Sequence, residues 1–139
     1  MKKDDCIFCK IAAGEIGSCT VYEDDNFRAF LDLGPAAKGH TLVVPKNHSD
    51  DLLTADDETL RNAAQVIAKV ANGIKSALNC DGINLVQNNG EAAGQTVKHL
   101  HFHLIPRYNN DGVNLLWTPG SAAKEELEEV GKIISEHIK

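Results

Sequence analysis

Polar and apolar positions alternate strictly near residue 100: His99, Leu100, His101, Phe102, His103, Leu104. A period of two is that of a β-strand, whose successive side chains face opposite ways. The pattern predicts a strand over Val97–Pro106 with Leu100, Phe102 and Leu104 toward a core and three imidazoles in a row on the other face. Shorter apolar runs predict strands at Thr20–Glu23, Phe27–Leu31, Thr41–Val44 (stopped by Pro45) and Ile83–Gln87. Asp24-Asp25-Asn26 reads as the turn between the first two. Leu60, Ala64, Ile67, Ala71, Ile74 and Leu78 recur at helical spacing and predict a long amphipathic helix to about Asn79. Thr54 is its expected N-cap, with Asp56, Asp57 and Glu58 suiting the helix dipole. Cys6–Ala13 reads as a short helix ended at Gly14. Leu127, Val130, Ile134 and Ile138 mark a C-terminal helix expected to pack on the core. Strands that follow one another in pairs predict an α+β fold with a mainly antiparallel sheet.

The 139 residues fit one domain, taken as 1–139, with enough chain to bury a core without staples. A net charge of −6 with no basic run argues against a nucleic-acid-binding face. A small anion can still be bound by backbone N–H groups and imidazoles. The charged start, Met1-Lys2-Lys3-Asp4-Asp5, leads into no apolar signal segment, and no run is long enough to span a membrane. A cytoplasmic protein is expected. Four cysteines in that compartment read as thiols or metal ligands before disulfides.

The histidine row supports two chemistries. Neutral imidazoles can bind a metal, or one of them can act as a nucleophile while its neighbours bind developing charge and move a proton. Geometry weighs against one ion holding all three, because the outer two lie roughly 13 Å apart at the backbone along an extended strand. A metal could take one of them with ligands from elsewhere. Gly94-Gln95-Thr96, just before the row, can bring backbone N–H groups close to a phosphate. His40 and His48 bracket the Thr41–Pro45 run. Cys6 and Cys9 form a C-x-x-C that becomes a closed Cys₂His₂ site if two histidines join it.

These residues together resemble the histidine-triad (HIT) family. The resemblance runs from Cys6-Ile7-Phe8-Cys9 to Trp117-Thr118-Pro119-Gly120. It includes Phe30-Leu31-Asp32-Leu33, Gly39-His40-x-Leu42-x-x-Pro45-Lys46-x-His48, and Gly94-Gln95-Thr96-Val97 before the triad. It implies a HIT-like fold, a homodimer, and cleavage at a nucleotide α-phosphate through a nucleotidyl-histidine. His101 would be the nucleophile, with His103 and His40 at the phosphate and no catalytic cofactor. Asp32 would accept from the ribose hydroxyls. Phe8, Ile11, Ile16, Phe30 and Leu33 would surround a purine base, and Asn88, Gly94, Gln95 and Thr96 would lie on the phosphate side. The transferase branch has glutamine at the third triad position, so His103 points to a hydrolase. The Trp117 segment resembles the Hint phosphoramidases. Gln95-Thr96-Val97-Lys98 and Pro106-Arg107 resemble the fragile-histidine-triad branch, which cleaves dinucleoside polyphosphates. A nucleotide-binding scaffold with incidental turnover is the alternative from another class. Some bacterial members bind a structural zinc at positions matching Cys6, Cys9, His48 and His99.

Overall fold

A computed structural model describes residues 1–139. Five strands form one antiparallel sheet: β1 (Thr20–Glu23), β2 (Phe27–Leu31), β3 (Thr41–Pro45), β4 (Gly82–Val86) and β5 (Phe102–Arg107), in the spatial order β1-β2-β3-β5-β4. Helix α1 spans Ile7–Ala12, α2 Asp57–Leu78 and α3 Lys124–His137. The fold is α+β, as the paired strands predict. No helix is long and apolar enough to cross a membrane.

Register explains how two cores share this sheet. Ala29 pairs with Val43, and Val43 with Phe102, so all three present one face. The apolar stripe of α2, with Ala63, Val66, Ile67 and Val70, covers them together with Leu100 and Leu104. Phe30 pairs with Leu42, Leu42 with His103, and His103 with Val86 across the opposite face. There α1 buries Phe8, Cys9 and Ile11 against Phe30, Leu42 and Val44. Helix α1 is too short to cover the whole face, and the histidine row occupies part of the remainder.

Three expectations are corrected. Helix α2 starts at Asp57, capped by Asp56, whose carboxylate accepts from the Thr59 N–H at 2.8 Å. Thr54 belongs to the preceding turn, where its N–H and hydroxyl donate to the Asp51 carboxylate. The histidine strand begins at Phe102, five residues later than predicted. Its ladder with β3 ends at the Val43–Phe102 pair. Pro45 has no N–H to extend it, and the His99 ring takes the Pro45 carbonyl at 2.8 Å. The facing of the row survives, because the Phe8 ring lies against both His99 and His101. The third correction is α3. It forms at the predicted place but buries no residue, and Leu127, Val130, Ile134 and Ile138 stand exposed.

Candidate active site and metal centre

The triad divides between two clusters. His101 and His103 remain beside one another, with ring centroids 5.0 Å apart. His40, at the mouth of β3, reaches His103 with Nε2 2.9 Å from Nδ1. His99 turns away and joins Cys6, Cys9 and His48.

Hydrogen-bond partners that can only donate or only accept fix the tautomers. The His101 Nδ1 lies 2.6 Å from the His99 carbonyl oxygen. A carbonyl only accepts, so Nδ1 carries the proton and Nε2 holds the free lone pair. The Ala36 N–H donates to the His40 Nδ1 at 3.0 Å, so the neutral His40 ring is protonated on Nε2. That proton is donated to the His103 Nδ1, which leaves the His103 Nε2 protonated. The chain Ala36–His40–His103 thus presents an N–H donor beside the His101 lone pair. Asp32 lies at the end of β2, with a carboxylate oxygen 3.6 Å from the His40 Nε2. Its other oxygen accepts the Gly34 N–H at 2.8 Å.

Burial holds these rings neutral. It pushes His101 and His40 below the usual histidine value, the Asp32 charge opposing it in both. It lowers His103 to about 4, with the neighbouring His101 and His40 charges adding to the effect. A neutral His101 is the form with a lone pair to give. The rate kcat/KM is therefore expected to stay flat as pH falls from 8 through 6.5 and to decline only below the free-histidine range. A pH–rate profile with an acid limb at or above pH 6.5 would show that His101 is not the group that must be neutral.

The same tautomer test separates the two clusters as metal sites. The His99 Nε2–H donates to the Pro45 carbonyl at 2.8 Å, and the His48 Nε2–H to the Asp50 carboxylate at 2.9 Å. Both Nδ1 lone pairs are therefore free, and they face each other at 3.1 Å. The His99 Nδ1 is 3.4 Å from the Cys6 Sγ and 3.5 Å from the Cys9 Sγ, and the His48 Nδ1 is 3.4 Å from the Cys9 Sγ. Ordinary zinc bond lengths in a tetrahedron place N–N edges at about 3.3 Å and S–N edges at about 3.6 Å. The Cys9 N–H donates to the Cys6 Sγ and the Lys3 N–H to the Cys9 Sγ, support suited to thiolates. The donor set fits zinc. Asp32, His40 and His103 also converge within 4.8 Å, but the Ala36 N–H occupies the His40 Nδ1, and a metal on Nε2 would require an imidazolate. That trio is built to hold protons.

Around the row, Phe8 and Phe30 meet edge to face at 5.8 Å, and Phe8 meets His101 at 5.0 Å. Phe8, Ile11 and Phe30 are buried in the core beneath α1, whereas Ile16 is partly exposed and Leu33 fully so. Gly90 and Gly94, both at positive φ, flank a single 3₁₀ turn at Glu91–Ala93. The Asn88 amide lies 3.5 Å from where a side chain on Gly94 would begin. Thr96 is exposed. Gln95 differs from expectation. Its oxygen accepts the Gly90 N–H, and its nitrogen donates to the Asp50 and Val97 carbonyls. Its amide shapes the loop and has little left for a ligand. The sequence reading missed Asp50 and the Ala36 N–H, which orient two of the histidines. The His48-x-Asp50 spacing was a usable signal for the first; nothing in the sequence marks the second.

An antiparallel sheet carrying a hydrogen-bonded histidine row beside a cluster of two cysteines and two histidines defines a class of small α+β proteins. The HIT domain family model matches residues 13–110, and the chain belongs to that family. It is 38% identical over 135 residues, 96% of this chain and 98% of the relative, to the adenosine 5′-monophosphoramidase hnt1 of Schizosaccharomyces pombe. It is 37% identical over 125 residues to the adenylylsulfatase HINT3 of Arabidopsis thaliana, covering 90% of this chain and 62% of that one. The crystal structure of SMU.412c from Streptococcus mutans superposes with a TM-score of 0.95 at 40% identity, over 99% of this chain and 88% of that one. A zinc-bound histidine-triad family protein from Mycobacterium smegmatis superposes at 0.75 with 36% identity, over 96% and 98% of the two chains. The protein is a hydrolase of this family.

Proposed function

We propose that the protein hydrolyses purine nucleoside phosphoramidates, or nucleotides bearing a related leaving group, at the α-phosphate through a nucleotidyl-His101 intermediate. The observation that carries this reading is the His101 ring itself. Its Nδ1–H is anchored on the His99 carbonyl, and its Nε2 lone pair is free beside the His103 N–H. His101 attacks phosphorus, the Nε2–P bond forms and the bond to the leaving group breaks. Positive charge on the ring is held by the short bond to the His99 carbonyl. The His103 N–H, backed by His40, binds a phosphoryl oxygen and supports proton delivery to the departing amine. Water then displaces His101 and releases the nucleoside monophosphate. Asn88, Gly94, Gln95 and Thr96 form the phosphate-side loop. Phe8, Ile11, Ile16, Phe30 and Leu33 supply the apolar surroundings of a purine base, the buried members from beneath and the exposed ones from the rim.

A panel of adenosine phosphoramidate, adenylyl sulfate and diadenosine tetraphosphate tests the reading. The phosphoramidate should give the highest kcat/KM. Turnover of diadenosine tetraphosphate alone would reassign the enzyme to dinucleoside polyphosphates, and saturable binding with no turnover of any of the three would make it a binding protein.

Asp32 reads the ribose in this scheme. One oxygen is engaged by Gly34, which fixes the carboxylate while leaving accepting capacity for two hydroxyls. Asp32→Ala is expected to weaken ribonucleotide binding by about 1–3 kcal/mol and deoxyribonucleotide binding by less. Calorimetric titration of both sugars checks this. Equal losses would place the effect of Asp32 in its contact with His40.

Cys6, Cys9, His48 and His99 hold one structural zinc in this reading. Four protein ligands leave no open position for water, so the metal stays outside the reaction. All four cysteines are unpaired, which suits a reducing cytoplasm. A homodimer is supported by the free outer edge of β4, the exposed Leu85, and an apolar groove between β4 and α2 lined by Leu60, Ile67, Leu85 and Phe102.

A further inference from the structure

Helix α2 and the edge strand β1 leave a groove between them, on the face of the sheet away from the histidine row. Its volume is about 480 Å³, within the range that small ligands occupy. Leu31 and Thr41, paired across β2 and β3, form the floor, two residues along from the core residues Ala29 and Val43. Val21 and Tyr22 of β1 form one side, and Val70 and Ile74 of α2 the other. The two hydroxyls of this wall are already engaged. Tyr22 donates to Asp24 at 2.8 Å, and Thr41 donates to the Gly39 carbonyl at 2.9 Å. A ligand lying along the groove therefore meets hydrocarbon.

A cation stands at each end. The Lys69 ammonium lies 5.4 Å from the Tyr22 ring centroid. Lys38 precedes Gly39, which packs so closely on Leu78 that a side chain on it would strike the Leu78 methyl. Leu78 lies roughly 13 Å further along the helix than Lys69. Both lysines are exposed, and neither has a carboxylate partner; the lysine ion pairs of this protein are at Lys2, Lys46 and Lys124. No aspartate or glutamate lines the groove, although the chain carries a net charge of −6. Gly73 follows Lys69 by one turn on the same side of α2. Glycine weakens a helix interior, and no packing demands it here, because nothing lies within 4 Å of where its side chain would begin. What the missing side chain does is leave the middle of the groove open.

We infer that this groove is a second ligand site, for an elongated molecule with an apolar middle and an anionic group at each end. A medium-chain linear dicarboxylate is the simplest such molecule. Its chain lies over Gly73, between β1 and the helix, and its carboxylates meet Lys38 and Lys69. The sheet separates this site from the histidine row, so it fills independently of the nucleotide.

Calorimetric titration with decanedioate, decanoate and butanedioate tests the inference. Decanedioate should bind at least about fivefold more tightly than either of the others. Equal affinity for butanedioate would reduce the effect to charge alone, equal affinity for decanoate would leave one lysine idle, and either result overturns the site as described. Lys38→Glu and Lys69→Glu should each weaken decanedioate at least about fivefold; wild-type affinity in either would overturn the pairing. Gly73→Leu fills the groove. It should raise the melting temperature by a few degrees, since leucine is the better helix former, and weaken decanedioate at least about tenfold. The smaller Gly73→Ala should also raise the melting temperature and shift binding in the same direction. A Gly73→Leu protein that is folded by near-ultraviolet circular dichroism and binds as the wild type does would place the ligand elsewhere. Amide resonances of Val21, Gly39, Gly73 and Ala77 should move on titration, and saturating nucleoside monophosphate should not reverse the change. Displacement by the nucleotide, or no saturable binding at about 5 mM, would overturn the inference.

Discussion

His101→Ala is expected to lower kcat on a nucleoside phosphoramidate by at least about 10⁴-fold, the order seen when a nucleophile is deleted from a constellation that acts as a unit. The size follows from geometry. Among His40, His101 and His103, His101 alone has an oriented free lone pair, since the His40 N–H occupies the His103 Nδ1 and the Ala36 N–H occupies the His40 Nδ1. Water would inherit the role poorly, because the ring left to activate it, His103, is lowered to about 4 and is a weak base. Nucleoside monophosphate binding should change by less than about tenfold, because the base and ribose contacts remain. His101→Asn preserves more of the packing against Phe8 and should be as inactive. Mass spectrometry of the acid-quenched wild-type reaction should find the nucleotidyl group on His101 alone. An alanine variant with wild-type kcat, or an adduct on another residue, would remove His101 from the nucleophile's place.

Removing the metal should act on stability far more than on chemistry. Protein purified without chelator should contain close to one zinc per chain by metal analysis. Cys9→Ala should abolish that zinc and lower the melting temperature by about 10 °C, as the loss of several kcal/mol of metal-coupled folding energy predicts for a chain of this length. The mechanism is specific. Without an ion, two Nδ1 lone pairs face each other at 3.1 Å beside two buried thiols. Burial raises the Cys9 thiol, so a nearby cation favours its charged form. The loss should spread, because His99 also ties the end of β3 and His48 also holds Asp50, to whose carbonyl Gln95 fastens the Gly90–Gln95 loop. Activity should nevertheless persist below the new melting temperature. Protein that stays metal-free after incubation with zinc under reducing conditions would sink the site. Complete loss of activity on zinc removal with the fold intact would make the metal catalytic.

Much of this was legible along the chain because it is local. The Asp24–Asn26 turn, the limits of β1 and β2, the stop at Pro45 and the stripe of α2 follow from period, turn chemistry and the missing proline N–H. The facing of the histidine row was also legible, although the ladder that predicted it ends at Phe102. A Thr54 cap and an Asp56 cap are both chemically sound from sequence; the Asp51–Thr54 turn decides between them by using up Thr54.

The C-x-x-C and the spacing of His40, His48 and the triad allowed the residues to be sorted by resemblance. Their chemistry was decided only when distant segments met. His48 and His99 have Nδ1 lone pairs to offer a metal because an Asp50 carboxylate and a Pro45 carbonyl take their other ring protons. His40 becomes a proton donor because the Ala36 N–H takes its other nitrogen. A histidine's sequence position gives its reach, but which nitrogen is free depends on a partner fixed by tertiary contact. The fate of α3 lies one level further out. Its apolar stripe is complete in the sequence, but what covers a stripe depends on which surface comes to face it, and no surface of its own chain does.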